Sequence, residues 1–201
     1  MSVGKIYIVR HGNTFDKGDV ILRVGGKTDL PLSKSGREQA QLLGTKFRDI
    51  EFAAAYVSNL RRTKQTARAI LGSDDFSLLE FLKEINYGPD EGREEKDVIK
   101  RIGQSALDRW DTHSIPPTGW CVDAEDLRTA WQSFLATCAD NTNILVVTSN
   151  GVARFLLDVV IGGEAAPKKL RTGSYGVISL DAKGPKLVSW NIRPDLQSNL
   201  T

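Results

Sequence analysis

Three apolar runs, Ile6-Tyr-Ile-Val9, Ala53 to Val57 and Asn143 to Thr148, punctuate the chain. A strand covered on both faces has no polar side to present, so near-continuous hydrophobicity of this kind predicts strands inside a parallel sheet. Between the runs the period changes to that of a helix. Ala40, Leu43 and Phe47 recur at helical intervals behind Ser35-Gly-Arg-Glu38, which has capping-box spacing, and this helix is expected to end near Asp49. Leu60 to Leu71 reads as a second helix stopped at Gly72, and Ser77 to Phe81 as another short strand. From Arg93 to Asp140 the pattern is mostly helical: Val98, Ile99, Ile102, Ala106 and Trp110 share one face. Leu127, Trp131, Phe134, Leu135 and Cys138 share another, with Pro116-Pro117 between the two. A last helix is expected from about Gly151 to Val160, then a hairpin of Tyr175 to Leu180 and Pro185 to Trp190, then a mobile polar tail after Pro194.

This alternation predicts an α/β fold, a three-layer α/β/α sandwich with helices on both faces of a mainly parallel sheet and a helical insertion between its third and fourth major strands. The 201 residues suffice for one substantial core, and no repeat, low-complexity tract or long linker divides them, so residues 1–201 are expected to form a single domain. In such sheets ligands bind beyond the carboxyl ends of the strands. His11, Ser58 and Ser149 each follow a predicted strand, so three distant segments are expected to converge there.

Charge narrows the partners. The formal net charge of +2 is spread with Asp and Glu interspersed among Lys and Arg, which argues against nucleic acid. No apolar run approaches the roughly 20 residues of a membrane span, the richest being broken by Ser149, Asn150, Arg154 and Asp158, so no membrane partner is expected. Met1-Ser-Val-Gly-Lys-Ile6 enters a strand without the features of a secretory leader, and a cytoplasmic protein is expected. Cys121 and Cys138 lack metal-ligand spacing and a catalytic neighbour, and read as reduced structural thiols.

The first strand ends abruptly in Arg10-His11-Gly12. To attack phosphorus, an imidazole needs one unprotonated nitrogen facing the substrate while the other gives its proton to a fixed acceptor, often a backbone carbonyl. Gly12 would allow the close turn. A lone histidine after a strand is more often a surface or satisfied core residue, and it is the flanking cation and glycine that favour chemistry. The other histidine, His113, precedes two prolines in a context that suits a cap or loop. Arg62 stands where the second strand passes into a helix. It is placed either to lay its planar fork on two phosphate oxygens beside the helix amino end, or to be a solvated residue like Arg61, Lys64 and Arg68.

Arg10-His11-Gly12-Asn13-Thr14, then Gly26-Lys-Thr-Asp29-Leu-Pro31 through Gln39-Ala40, then Ser58-x-Leu60-x-Arg62-x-x-x-Thr66-Ala67, together resemble the histidine phosphatase superfamily, in the branch that includes cofactor-dependent phosphoglycerate mutases. The similarity runs in order to about residue 92 and resumes at 144. The resemblance implies that His11 is a nucleophile forming a phosphohistidine, that Arg10 and Arg62 clamp the phosphoryl oxygens, and that Asn13 and Arg23 line the entrance. Leu82-Lys-Glu84-Ile-Asn-Tyr-Gly88-Pro-Asp-Glu91-Gly92 resembles the family's acidic loop. Glu84 would then be the proton donor to the leaving oxygen and later the base for water, while Glu91 is read as structural, with an exchange of roles between them left open. Such a site uses no metal and no cofactor, and Glu84 must be protonated in the first step, which implies a pKa raised by burial or a bound anion.

The pattern breaks in Thr148-Ser149-Asn150-Gly151. Ser149 stands where the family has its second histidine and Asn150 where it has the first following glycine. A serine offers one donor at short reach and asparagine two, so the pair either takes over substrate binding, leaves the pocket one donor short at a cost of about a hundred- to a thousandfold in rate, or is simply a turn. The expected function is hydrolysis of phosphomonoesters, with a small phosphorylated metabolite as substrate or, second to it, a phosphoprotein. A catalytically impaired phosphate-binding member is the alternative, and a mutase ranks below both, because the shortened middle region leaves little chain for a closing lid. The insertion is expected to roof the cleft; Trp110 and Trp131 read as core, and the strand near Trp190 as an edge open to pairing, with oligomeric state undetermined.

Overall fold

The protein is described by a computed structural model covering residues 4–138 and 141–194; the tail expected to be mobile lies beyond them. Six strands form one sheet: β1 Gly4–Arg10, β2 Ala54–Val57, β3 Ser77–Leu78, β4 Asn143–Thr148, β5 Tyr175–Asp181 and β6 Gly184–Ile192, in the order β3-β2-β4-β1-β5-β6. The first four in that order run parallel, and β5 and β6 close the sheet as an antiparallel hairpin. Six helices flank it: α1 Lys34–Phe47, α2 Arg61–Leu71, α3 Glu95–Ile102, α4 Gln104–His113, α5 Ala124–Thr137 and α6 Asn150–Leu156. The expected three-layer arrangement is present, with α3, α4 and α5 forming the insertion between β3 and β4.

Alternation along β1 divides the core. Ile6 and Ile8 point to the face covered by the insertion and α6, where they pack with Trp131, Phe134, Phe155 and Leu156. Tyr7 and Val9 point to the opposite face and pack with Leu43, Phe47 and Ala67 of α1 and α2. Fully burying a side chain of this size contributes about 1.5–3 kcal/mol, and the two clusters together hold the strand ends in place. Trp131 and Trp110 are core residues, at 0% and 2% exposure, as their helical spacing predicted.

Several element boundaries differ from expectation. The cap of α1 is Ser33, whose hydroxyl accepts from Gly36 N at 3.2 Å, and not Ser35 of the expected capping box. Asp16, remote in sequence, takes the amides of Lys34 and Ser35 at 3.0 Å each, so a tertiary contact moved the start of the helix two residues upstream. The shared face from Val98 to Trp110 belongs to two helices, because Gly103 takes φ +81° and breaks the run between them. β3 is two residues long and turns at once into a 3-10 helix over Glu80–Leu82. The β6 edge near Trp190 is already dressed: Ile161 bonds Pro185 O and Leu187 N, and Trp190 Nε1 donates to Pro167 O at 3.1 Å. No helix among the described residues is long and apolar enough to cross a membrane.

Candidate active site

Three strand ends converge as expected. His11 N donates to Thr148 O at 3.2 Å and Ser58 N to Val147 O at 3.2 Å, which ties the ends of β1 and β2 to that of β4. The Thr148 hydroxyl donates to Leu82 O at 2.6 Å and fastens the loop carrying Glu84 to the same edge. Ser58 itself is structural, its hydroxyl paired with Thr63 at 2.7 Å.

His11 is buried, and its Nδ1 lies 2.7 Å from Gly12 O, which makes Nδ1 the protonated nitrogen. Nε2 accepts from Arg62 Nε at 3.2 Å, so its lone pair faces the guanidinium. Burial, then the charges of Arg62 and Arg10, hold the imidazole pKa well below its usual value, against the raising effect of the Gly12 carbonyl. Gly12 is needed here for close packing and not for a special turn: a Cβ on it would lie 2.2 Å from Gly36 O, in the first turn of α1.

Arg62 is tightly held. It is wholly buried, with NH1 donating to Thr28 O at 2.9 Å and NH2 to Gly25 O at 3.2 Å. Glu91 braces the loop that supplies these carbonyls, accepting from Lys27 N, Thr28 Oγ1 and Tyr87 N at 2.8, 2.9 and 3.0 Å. Its carboxylate is therefore spent on backbone and hydroxyl donors, while Glu84 faces the cavity. Glu84 is 7% exposed; burial raises its pKa, with Arg62, Arg10, the Ile85 amide and Arg154 pulling the other way. Its Oε1 accepts from Ile85 N at 2.9 Å and sits against Gly151, where a Cβ would be only 2.1 Å away.

A cavity of about 320 Å³ is lined by Arg10, His11, Asn13, Arg23, Arg62 and Glu84, together with residues the sequence did not nominate, notably Tyr87, Glu95 and Thr172. Thr172 donates to the Asn13 side chain and Arg23 pairs with Glu95, partners more than 70 positions away in both cases, which no local spacing signals. Arg10 is half-buried, its NH1 on Leu170 O at 2.8 Å and its Nε without a partner. The sequence-nominated Ser149 and Asn150 are placed differently. Ser149 is fully buried, its hydroxyl lacks a hydrogen bond, and it lines neither this cavity nor its neighbour. Asn150 lines the neighbouring chamber, and its Oδ1 accepts from Leu170 N at 2.7 Å, so it pins the same residue that anchors Arg10. His113 is exposed at the end of α4 and paired with Thr112, outside both chambers. Neither cysteine joins the site, and burial pushes the Cys138 thiol up to about 11. Among the described residues no group of three or more His, Cys, Asp or Glu side chains is arranged to hold a metal ion.

A buried imidazole with a depressed pKa beside two guanidiniums, sharing a cavity with a carboxyl whose pKa burial raises, is the equipment of phosphoryl transfer to histidine. The sequence matches the Histidine phosphatase superfamily (branch 1) over residues 6–193. The chain belongs to this superfamily. The adenosylcobalamin/alpha-ribazole phosphatase of Escherichia coli is 28% identical over 200 residues, covering 94% of this chain and 96% of that protein. The fructose-2,6-bisphosphatase TIGAR B of Danio rerio is 36% identical over 137 residues, which span 64% of this chain but only 50% of that protein. Among solved structures, the alpha-ribazole phosphatase from Shigella flexneri superposes with a TM-score of 0.71 at 26% identity, over 94% of this chain and 96% of that one. The phosphoglycerate mutase from Bacillus anthracis, at 23% identity and TM-score 0.77 over 94% and 93%, shares the fold. The relatives named in this superfamily are phosphatases and mutases, which supports an enzyme of the phosphoric monoester hydrolase type.

Proposed function

We propose that the protein hydrolyses phosphomonoesters of small metabolites through a phosphohistidine on His11. The observation that carries this is the tautomer: Nδ1 gives its proton to Gly12 O, leaving Nε2 unprotonated in the cavity that also holds Glu84, Arg10 and Arg62. An entering phosphate competes for Arg62 and takes the donor now on Nε2, which frees that lone pair to attack. The Nε2–phosphorus bond forms as the ester oxygen leaves, and protonated Glu84 transfers its proton to that oxygen. Arg10 and Arg62 hold the charge spread over the equatorial oxygens. Water then attacks the phosphohistidine, Glu84 accepts its proton, and inorganic phosphate departs with the imidazole restored.

Brief incubation with a phosphomonoester panel followed by alkaline quench should trap an acid-labile phosphoenzyme, with phosphate release lost by at least about 10⁴-fold in His11→Ala. One feature favours the second reading, a phosphate-binding member of impaired activity: the Ser149 hydroxyl is buried without a partner and contributes no donor to the cavity. Phosphate binding that needs Arg10 and Arg62, with neither phosphoenzyme nor turnover, would establish that reading instead; isomerisation without phosphate release would identify a mutase.

A further inference from the structure

Beside the His11 cavity lies a second chamber of about 370 Å³ that shares Arg10, Arg23, Tyr87 and Glu95 with it and extends beneath the insertion to Trp110 and Asp111. Its charges are already matched. Arg23 pairs with Glu95, and Lys169 Nζ lies 3.0 Å from Asp111 Oδ2, so of the charged groups lining it Arg10 alone is without a carboxylate partner. A second phosphate or carboxylate placed here would face the carboxylates of Glu95 and Asp111, and removing a charge from water beside like charges is costly.

What the chamber has left over is hydrogen-bonding capacity of both kinds. On the donor side, Arg23 Nε is buried without a partner. Asn150 has spent only its carbonyl, on Leu170 N at 2.7 Å, and keeps its amide hydrogens. Behind the wall, Arg154 NH2 also lacks a hydrogen bond and lies 3.8 Å from Asp111 Oδ1. On the acceptor side, Gln104 has spent its Nε2 on Asp108 at 2.9 Å and retains a carbonyl oxygen, and Glu95 bonds Arg23 through Oε1 and retains Oε2. The rings of Trp110 and Tyr87 supply apolar surface between these groups.

A hydroxyl both donates and accepts, and a row of them on a carbon chain alternates polar edges with C–H faces. We infer that this chamber is a leaving-group subsite for an uncharged polyhydroxylated group, a sugar or polyol carrying the scissile phosphate. The inference rests on the phosphatase reading for the position of the phosphate, and names the class of substrate that reading leaves open. A site that hydrogen-bonds substrate hydroxyls discriminates strongly against the analogue lacking them, because its own buried groups are then left unpaired.

The test compares a pentitol 5-phosphate, n-pentyl phosphate and the pentitol 1,5-bisphosphate with the full chain, by phosphate release. The pentitol monophosphate should exceed pentyl phosphate by at least about tenfold in kcat/KM, and Gln104→Leu, which removes the free carbonyl, should lower that ratio severalfold. Equal rates on the first two, or a preference for the bisphosphate, would overturn the subsite while leaving the phosphatase intact. If none is turned over, calorimetry with His11→Ala separates the two ideas. Tighter binding of the pentitol phosphate than of pentyl phosphate then upholds the subsite although the phosphatase reading has failed, and equal binding sinks the subsite too.

Discussion

The two sides of the cavity spend their polar groups differently. At the ends of β1 and β2, both nitrogens of His11 and all three of Arg62 have partners, Glu91 in turn braces the loop that holds Arg62, and only Arg10 Nε among their buried side-chain atoms is left without one. At the end of β4, Ser149 Oγ is buried without any, and Arg154 NH2 has no hydrogen bond but lies 3.8 Å from Asp111 Oδ1, with the guanidinium held over the Trp110 ring at 3.9 Å. Burial lowers the Arg154 pKa to about 10, which still leaves it charged at neutral pH. The His11 side is thus preorganised: the cost of orienting the imidazole is met during folding. The β4 side gives no direct donor through Ser149, and reaches the cavity at one remove, through Asn150 and Leu170 to Arg10.

The sharpest way to break this contrast is on the organised side. Glu84→Gln removes the proton donor, and kcat on an alkyl phosphate should fall by about 10²–10⁴-fold. Because the Glu84 pKa is raised and the proposed mechanism uses its protonated form, wild-type kcat/KM should fall on the alkaline side of that raised pKa, and this limb should be absent in the variant. A pH–rate profile that keeps its alkaline limb in Glu84→Gln would assign the proton to another group.

Next in size is the disorganised side. Ser149→His restores a long donor at the position that is one short, and kcat should rise by about tenfold or more, measured alongside the melting temperature because a larger side chain enters a fully buried position. An unchanged or lower kcat in a folded variant would show that the vacancy does not limit the rate.

Asn150 sharpens the comparison from the other direction. Asn150→Ala frees Leu170 N and loosens the residue holding Arg10, so kcat should drop by about tenfold, whereas Asn150→Asp keeps the acceptor and should recover most of it. Equal losses in both would mean that the amide hydrogens matter and the brace does not.

The smallest effect is on stability. A histidine whose folded pKa is depressed contributes stability that is complete above its unfolded value of about 6.5 and is lost as pH falls below it, because the unfolded chain takes the proton first. Denaturant unfolding of the wild type should therefore weaken by up to about 1.4 kcal/mol per pH unit below 6.5 relative to His11→Ala. Glu84, with its raised pKa, acts in the opposite sense, its stability cost being relieved as pH falls through the folded value, which is why the comparison is made against a variant that retains it.

By itself the sequence determined the sandwich, the position of the insertion and part of the cavity lining, Arg10, His11, Asn13, Arg23, Arg62 and Glu84, but not Tyr87, Glu95 or Thr172. Continuous apolar runs and helical spacing are local properties, and Arg10, His11 and Arg62 sit at strand ends that a parallel sheet must bring to one edge. Ser149 illustrates the limit: the sequence shows which residue replaces the family's histidine, but only packing decides that its short side chain ends inside the protein and misses the cavity. Tertiary structure likewise decided that Glu91 braces Arg62 while Glu84 faces the cavity, since two carboxylates seven positions apart are distinguished by which donors surround them. The α1 cap, moved to Ser33 by Asp16, and the pairing of Arg23 with Glu95 belong to the same class. In each case the deciding partner is far away along the chain, and its energy is gained only after the sheet has brought it near.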